Sequence, residues 1–162
     1  MKIKSLGDTS FDELFGAFEQ AFADYEVRLD KSELLAMLKR RGFRPDLSFA
    51  AFDSDKMVSF TCNGIGDFNG KQTAYDTGTG TLKDYRGKGL ATQVFEYSIP
   101  HLGEAGIQEY LLEVLQHNTG AVSVYSKLGF EVTREFYYFK TKNDKAGDKA
   151  KYIDSRYSLM PI

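Results

Sequence analysis

The chain has 162 residues, enough for one domain with a sizeable core, and its net charge is −2. This balance gives no general electrostatic case for nucleic acid or a membrane surface, so neither is expected as a partner. A single cysteine, Cys62, excludes an internal disulfide framework. The absence of a secretion core or a membrane-spanning apolar run predicts a cytoplasmic protein.

The first third of the chain predicts a strand and two helices. Residues 1–6 are expected to form the strand. Ser10 with Glu13 three residues later is a capping-box pattern, which begins the first helix. A second helix starts at Ser32 and is closed by residues 40–42. The polar break between them, Asp24 to Asp30, is either a solvated loop or part of a pocket.

Three strand segments follow, at residues 47–52, 57–62 and 72–82, and Asn69-Gly70 predicts a hairpin turn before the third. The run Thr77-Gly78-Thr79-Gly80-Thr81 is unusual in a strand, because interior glycine weakens strand pairing. It predicts either a β-bulge or the close approach of a cofactor along that strand.

The stretch of residues 79–92, TGTLKDYRGKGLAT, predicts a strand end, a glycine-spaced turn and the first turn of a helix. Free backbone N–H groups at a helix N-terminus favour an anion such as a pyrophosphate. Arg86 and Lys88 would add positive charge there. The spacing fits neither a Walker A motif nor a Rossmann fingerprint, and an ordinary turn between strand and helix is the alternative.

The remainder of the chain predicts a helix at residues 89–98, with Pro100 ending or kinking it before Gly106, then a strand at 107–114 and a helix at 118–128. Two strands, 130–142 and 151–160, flank a charged loop at 143–150. The order β-α-α-β-β-β-α-β-α-β-β predicts α/β layers around a mostly antiparallel sheet, with one parallel crossover around the glycine-rich helix.

Two blocks of the chain resemble the signatures of the GNAT superfamily of acyl-CoA N-acetyltransferases. The first is Arg/Gln-x-x-Gly-x-Gly/Ala, here Arg86, Gly89 and Ala91. The second is Leu-Glu-Val followed by Asn, Ala, Tyr and Gly-Phe within residues 112–130. The resemblance covers residues 45–135 well and the rest by topology. It implies a single N-acetyltransferase domain over residues 1–162, of the α/β (α+β) class, with a mixed, mostly antiparallel sheet of six to seven strands flanked by about four helices.

The resemblance also implies acetyl-CoA as the cosubstrate. Backbone groups of residues 79–81 would pair with its pantetheine chain, and residues 87–92 would hold its pyrophosphate. The chain departs from the family at Thr81 and Lys83, where Val and Pro are common, so residues 79–83 align less closely than 86–91. The cofactor-binding residues that it predicts are Thr79, Gly80, Thr81, Arg86, Gly87, Lys88, Gly89, Leu90, Ala91, Thr92, Asn118 and Tyr125. A metal site is not expected, because neither histidine has partners at ligand spacing.

Two residues are candidates for catalysis. Sequence alone favours a core role for Tyr125, whereas the resemblance makes it the general acid that protonates the departing thiolate. Glu113 lies in an apolar strand, where a carboxylate needs a partner or a cleft. In the family members that acetylate ribosomal-protein N-termini, a glutamate at this spacing is the base, and the resemblance carries that role to Glu113. Asp76, water, or a purely structural Glu113 are the alternatives.

The predicted activity is transfer of an acetyl group from acetyl-CoA to a primary amine in a ternary complex; a non-catalytic acyl-CoA-binding regulatory domain is the alternative. The acceptor is a small-molecule or peptide amine. Its determinants are expected in the loops 24–30 and 143–150, where Asp24, Glu26 and Asp30 favour a cationic amine. A homodimer through the C-terminal strands is expected by analogy.

Overall fold

The computed structural model describes residues 1–25, 28–138 and 152–159, with the backbone alone described for 136–138 and 152–159. Glu26 and the predicted charged loop 143–150 therefore lie outside the described residues. Within the described ranges, the helices and strands follow the predicted order. They are β1 (Lys2–Ser5), α1 (Phe11–Ala21), α2 (Lys31–Arg40), β2 (Phe49–Asp53), β3 (Lys56–Phe68), β4 (Lys71–Thr81), α3 (Leu90–Glu104), β5 (Glu109–Leu115), α4 (Thr119–Lys127), β6 (Phe130–Tyr138) and β7 (Tyr152–Leu159).

The strands form one seven-stranded sheet in the order β1-β2-β3-β4-β5-β7-β6. Neighbouring strands are antiparallel throughout, except that β4 and β5 are parallel and are connected by α3. The predicted mixed sheet with a single parallel crossover around the glycine-rich helix is confirmed.

Local signals explain where the helices begin. Ser10 and Glu13 form both hydrogen bonds of a capping box at the start of α1, and Asp30 and Glu33 do the same for α2. Helix α3 runs through Pro100 and ends at Glu104, so the proline does not end it. In the described part of the chain, no helix is long and apolar enough to span a membrane.

The helices cover the sheet on both faces. The core of the α1/α2 face consists of residues from both helices and from β2, β3 and the segment after β4, among them Leu14, Ala21, Leu34, Leu38, Phe60 and Cys62. The core of the α3/α4 face includes Phe95, Tyr110, Leu112, Val114, Tyr125 and Phe130, and continues toward β2 and β3 around Phe49, Val58 and Val94. Cys62 is fully buried and burial raises the pKa of its thiol, so it is the inert core cysteine that the sequence predicts.

The glycine-spaced end of β4 contains a bulge and also packs closely against α1. Cys62 pairs with Gly78 and Asn63 with Asp76, so Thr77 is one extra residue on β4. A Cβ at Gly78 would come within 2.8 Å of the ring of Phe18. The predicted bulge is confirmed, and the absence of a side chain at Gly78 allows α1 to lie directly on the strand.

Candidate active site

The sheet opens between its two parallel strands. Strands β4 and β5 pair at only three positions, the last being Tyr75 with Leu111. Beyond that point β4 continues to Thr81 alongside β3, and β5 continues to Leu115 alongside β7. Residues 76–81 and 112–115 therefore face a wedge-shaped opening in which they do not pair with each other. An extended chain with amide groups can enter such an opening and hydrogen-bond to the unpaired strand edge.

Backbone donors lie at the end of this opening, where the glycine-rich turn leads into α3. Gly87 and Gly89 have positive φ angles of 73° and 72°, a conformation that glycine adopts without steric cost. In the described part of the chain, no hydrogen bond within the protein uses the backbone N–H groups of residues 87–91. These donors and the dipole of α3 have the arrangement that the predicted anion site requires, while binding of an anion there stays a prediction.

The side chain of Arg86 is directed at protein acceptors. Its Nη1 lies 2.9 Å from Asp24 Oδ2, and its Nη2 and Nε donate to the carbonyl oxygens of Ala21 and Thr81 at 2.8 Å and 3.1 Å. The guanidinium thus ties the turn to the C-terminal end of α1 and to the end of β4. Its predicted charge is largely balanced by Asp24, which leaves Lys83 and Lys88 as the other cations of the turn. The Lys88 ammonium lies 4.9 Å from the ring of Tyr85.

Tyr125 projects from α4 into the core of the α3/α4 face. Its ring meets those of Phe95 and Phe130 edge to face at 5.5 Å and 5.8 Å. Its hydroxyl hydrogen-bonds to the side chain of Thr79 on β4, which places the phenol at the opening. Burial, followed by the negative charge of Asp76, raises the pKa of Tyr125. The phenol therefore keeps its proton at neutral pH.

A polar network on the same face links Tyr125 to a carboxylate. Asp76 Oδ2 accepts from Thr79 Oγ1 at 2.8 Å, and Asp76 Oδ1 accepts from the backbone N–H of Gly78 at 2.9 Å. Burial raises the pKa of Asp76 to about 6, against the opposing effect of these two hydrogen bonds. The sequence assigned Thr79 a backbone role only, and it gave no signal that the threonine side chain joins Asp76 to Tyr125.

Glu113 lies on the face of the sheet opposite to Tyr125 and Asp76. It sits between Leu112 and Val114, which belong to the α3/α4 core, so the strand alternation places it on the α1/α2 face. Its carboxylate accepts a hydrogen bond from the hydroxyl of Tyr75, and burial, with Glu113 the next cause, raises the pKa of Tyr75 to about 12. Glu113 and Tyr125 therefore flank the opening from its two sides. No local sequence pattern marks Tyr75 as a site residue.

The family model that matches this chain is described as the acetyltransferase (GNAT) family, and the match covers residues 11–130. This chain belongs to the GNAT family. The predicted GNAT family and the predicted fold are thereby confirmed.

Curated relatives of this GNAT chain include two named N-alpha-acetyltransferases. It is 32% identical over 95 residues to "N-alpha-acetyltransferase MAK3" of Arabidopsis thaliana, covering 59% of this chain and 50% of the relative. It is 32% identical over 87 residues to "N-alpha-acetyltransferase 30" of Schizosaccharomyces pombe, covering 53% and 58%. The chain thus spans about half the length of the curated relatives that it matches.

Solved structures share the fold across nearly the whole chain. The ribosomal-protein-S18-alanine N-acetyltransferase from Escherichia coli has a TM-score of 0.75 and 19% identity, covering 99% of this chain and 93% of that one. A structure of the NatC complex bound to Gag peptide and CoA has a TM-score of 0.76 and 18% identity, covering 100% and 99%. At these identities the likeness concerns the fold.

Asn118 lies where β5 leads into α4 and caps that helix. Its Oδ1 accepts from the backbone N–H of Ala121 at 3.3 Å, which is the structural role that the sequence left open beside cofactor binding. The capping bond occupies Oδ1, while the contact with the cofactor stays a prediction.

Among the side chains that the structure describes, no cluster of His, Cys, Asp and Glu has the arrangement of a metal site.

A groove on the α1/α2 face adjoins Glu113. It has a volume of about 290 Å³ and is lined by Tyr75 and Leu111, by the β3 part of the hairpin around Ile65, and by Arg41 after α2. The Arg41 guanidinium lies 5.5 Å from the centre of the Tyr75 ring. Among the described residues Arg41 forms no ion pair, and the carboxylate of Asp67 lines the same groove.

Proposed function

We propose that this chain transfers an acetyl group from acetyl-CoA to a primary amine by direct transfer in a ternary complex, within a single domain. The observation that carries the proposal is the opening between β4 and β5, with Tyr125 on one side and Glu113 on the other. The names of the two N-alpha-acetyltransferase relatives favour the α-amino group of a peptide or protein over a small-molecule amine.

The two ends of acetyl-CoA have separate places in this proposal. The pyrophosphate binds the backbone N–H groups at the start of α3, within residues 87–92. The pantetheine chain lies in the opening and pairs with β4 at residues 79–81, as the family resemblance implies. The edge of β4 beyond Tyr75 is left unpaired by β5. This unpaired edge supports an added extended chain there.

The acceptor amine enters from the α1/α2 face, through the groove beside Tyr75. Glu113 accepts the ammonium proton, directly or through water, and the amine nitrogen attacks the thioester carbonyl carbon. The tetrahedral intermediate collapses with cleavage of the carbon–sulfur bond, and Tyr125 donates a proton to the thiolate on the α3/α4 face. Most of the acceleration comes from holding amine and thioester together in the correct orientation.

The position of Asp76 bears on which carboxylate is the base. Asp76 is paired with Asn63 in the strand register and is hydrogen-bonded toward Thr79, on the Tyr125 side of the sheet. Glu113, in contrast, is beside the groove. This arrangement supports Glu113 as the base and removes Asp76 from the acceptor side.

The acidic residues of the loop after α1 support a cationic acceptor less than the sequence suggests, because the two that the structure describes already have partners. Asp24 is ion-paired with Arg86, and Asp30 caps α2 through the backbone N–H of Glu33. Both carboxylates therefore have partners within the protein.

The predicted homodimer through the C-terminal strands and the predicted cytoplasmic location stay predictions.

The test is release of CoA thiol from acetyl-CoA in the presence of a panel of amines, with acetylated product identified by mass spectrometry. The panel pairs each peptide that has a free α-amino group with the same peptide blocked at its N-terminus, and adds polyamines and amino acids. We expect product from free peptides and none from blocked ones. Saturable acetyl-CoA binding with no thiol release for any amine would favour the non-catalytic regulatory domain.

A further inference from the structure

The side chain of Tyr75 connects the proposed base of the reaction to the groove on the α1/α2 face. Its hydroxyl donates to the carboxylate of Glu113, and Tyr75 also lines the groove, whose volume is about 290 Å³. An amine that reaches Glu113 therefore lies next to one end of this groove. We propose that the groove binds the third residue of an acceptor peptide and selects an apolar side chain there. This inference rests on the proposed function, which places the acceptor amine at Glu113.

The strand register gives the distance between Glu113 and the groove. Leu111 comes two residues before Glu113 on β5 and pairs with Tyr75. Thr73 comes two residues before Tyr75 on β4 and pairs with Gly66 on β3. All of these residues except Glu113 line the groove. Because a strand rises by about 3.3 Å per residue, the groove lies roughly 7 to 13 Å from Glu113 along the sheet.

The length of an extended peptide matches this distance. Each residue adds at most about 3.3–3.6 Å, so the third residue of a peptide lies roughly 7–10 Å from its amine nitrogen. Successive side chains of an extended chain point to opposite sides. The third side chain can therefore face the sheet and enter the groove, while the second points away from the sheet.

Apolar side chains form most of the groove. Tyr75, Leu111 and Ile65 line it, and Phe68 lines its end at the turn between β3 and β4. The side chain of Phe68 is 44% exposed, so water contacts a large part of its ring. Covering this apolar surface with an apolar side chain of the peptide is favourable, because it removes both surfaces from water.

The charged groups around the groove do not favour a charged third residue. Arg41 and Asp67 both line the groove and have opposite charges. The carboxylate of Asp67 already accepts a hydrogen bond from the backbone N–H of Gly70 at 3.0 Å. Next to Thr73, Lys71 and Glu109 are ion-paired with each other at 3.1 Å. An acidic or a basic side chain would therefore meet one favourable and one unfavourable charge.

Gly66 keeps part of the groove open. A Cβ at this position meets no described atom within 4 Å, and its φ angle lies outside the left-handed region. Neither packing nor backbone conformation therefore requires glycine here. Because Gly66 pairs with Thr73, a larger side chain would lie on the same face of the sheet and occupy the groove.

Gly66→Leu fills the groove, and thermal melting establishes that the variant folds. The matched control is Gln72→Leu, which adds the same side chain to the same β3–β4 hairpin. Gln72 is exposed and lies two residues before Ala74, a member of the α3/α4 core, so the strand alternation places it on the other face.

The first measurement is kcat/KM for peptides with a free α-amino group that differ only at the third residue. Leu, Phe, Ser, Lys and Gly are compared at that position. We expect the wild type to prefer Leu and Phe over Ser and Lys by about tenfold. Gly66→Leu should lose this preference, and the peptide with Gly should lose the least activity of the series. Gln72→Leu should keep the wild-type preference.

The second measurement is peptide binding without turnover. The chain contains no tryptophan, so the fluorescence of a peptide with Trp as its third residue comes from the peptide alone. With CoA in place of acetyl-CoA, we expect saturable binding and a blue shift of the emission in the wild type and in Gln72→Leu. Gly66→Leu should bind this peptide about tenfold more weakly or worse.

The two measurements distinguish failure of the inference from failure of the proposed function. If no amine gives an acetylated product, the proposed function fails, and the fluorescence titration still decides whether the groove binds the peptide. Absence of saturable binding, or equal binding by the wild type and Gly66→Leu, overturns the inference.

The kinetic series has two further outcomes that overturn the inference. One is an active wild type whose kcat/KM does not depend on the third residue. The other is a preference for Lys, which would indicate recognition by Asp67. Should Gly66→Leu not fold, Phe68→Ala replaces it, because it removes apolar surface from the end of the groove. An unchanged preference for Leu and Phe in that variant would then count against the inference in the same way.

Discussion

Arg86 in the glycine-rich turn and Asp24 beyond the end of α1 are ion-paired across 62 positions of the sequence, with 2.9 Å between Nη1 and Oδ2. The same guanidinium donates to the carbonyl oxygens of Ala21 and Thr81. One side chain therefore fixes the glycine-rich turn relative to α1 and β4. This role is positional, and it differs from the direct supply of charge to a phosphate that the sequence suggests.

Arg86→Ala is expected to weaken acetyl-CoA binding roughly tenfold, because the turn loses charge-assisted hydrogen bonds that hold its donors in place. Arg86→Lys should restore little, since an ammonium cannot reproduce the two-pronged contact with Asp24. Titration calorimetry gives the dissociation constants. Lys83→Ala, which removes a positive charge from the same turn, is the matched control and should have a smaller effect. Full rescue by Arg86→Lys would contradict the positional role.

The order of the elements was predictable because it depends on local signals. The capping boxes of α1 and α2, the Asn69-Gly70 turn and the apolar spacing after Gly89 each involve neighbouring residues. Strand β3 is longer than predicted, as it continues to Phe68 through residues with low strand propensity. Pairing with β4 provides its hydrogen bonds, and no local pattern contains that information.

The contacts within the site were less predictable than the fold. The signature positions of Tyr125 and Glu113 come from the family resemblance, whereas the partners Thr79 and Tyr75 depend on how the strands are aligned. The bulge at Thr77 shifts which residues of β4 face Tyr125, and a sequence cannot give that register. Local sequence patterns cannot predict the long-range contacts of Arg86 and Arg41 either, because these contacts also depend on how distant elements are aligned.

Tyr125→Phe is expected to lower kcat by about 100-fold or more while leaving acetyl-CoA affinity nearly unchanged. The phenylalanine ring retains the edge-to-face packing with Phe95 and Phe130, so only the hydroxyl is lost. Steady-state kinetics and equilibrium binding separate the two quantities. Equal kcat in both proteins would reassign Tyr125 to packing.

Gly80→Ala is expected to destabilise the protein by about 1–3 kcal/mol, because the new methyl group has no space. Its Cβ would lie 2.8 Å from Phe60 Cζ and 2.9 Å from Ala21 Cβ, so α1 would have to move away from β4. Urea unfolding measures the loss. Gly66→Ala is the matched control, since Gly66 is also in a strand and a Cβ there meets nothing within 4 Å. A comparable loss in both variants would refute the packing explanation.

Arg41→Ala is expected to reduce kcat/KM for acceptor peptides with an acidic residue beside the N-terminus by about tenfold, and to affect neutral peptides much less. The reason is that the Arg41 guanidinium lies over the ring of Tyr75, whose hydroxyl donates to Glu113, so an amine at Glu113 places a nearby carboxylate toward Arg41. Arg40→Ala changes the neighbouring exposed arginine and serves as the control. An equal loss for acidic and neutral peptides would show that Arg41 does not select the acceptor.

Asp76 should make the folded state less stable as pH rises from about 4 to about 6. Its pKa is about 6 in the folded protein and 3.8 for the ordinary group, so in this interval the folded state retains a proton that the unfolded chain has released. Stability from this proton is fully present below pH 3.8 and is lost as pH rises through 6, by ~3 kcal/mol for a difference of about two pKa units.

Comparison with Asp76→Asn isolates this effect, because the asparagine does not titrate. The exposed carboxylates Asp24 and Glu13 have lowered pKa values and change stability in the opposite direction, but they contribute equally to both proteins. The free energy of unfolding, measured with urea at about pH 4.5 and about pH 7, should therefore favour Asp76→Asn over the wild type more at the higher pH. A difference between the two proteins that does not change with pH would mean that Asp76 is ionised throughout this range and that burial does not raise its pKa.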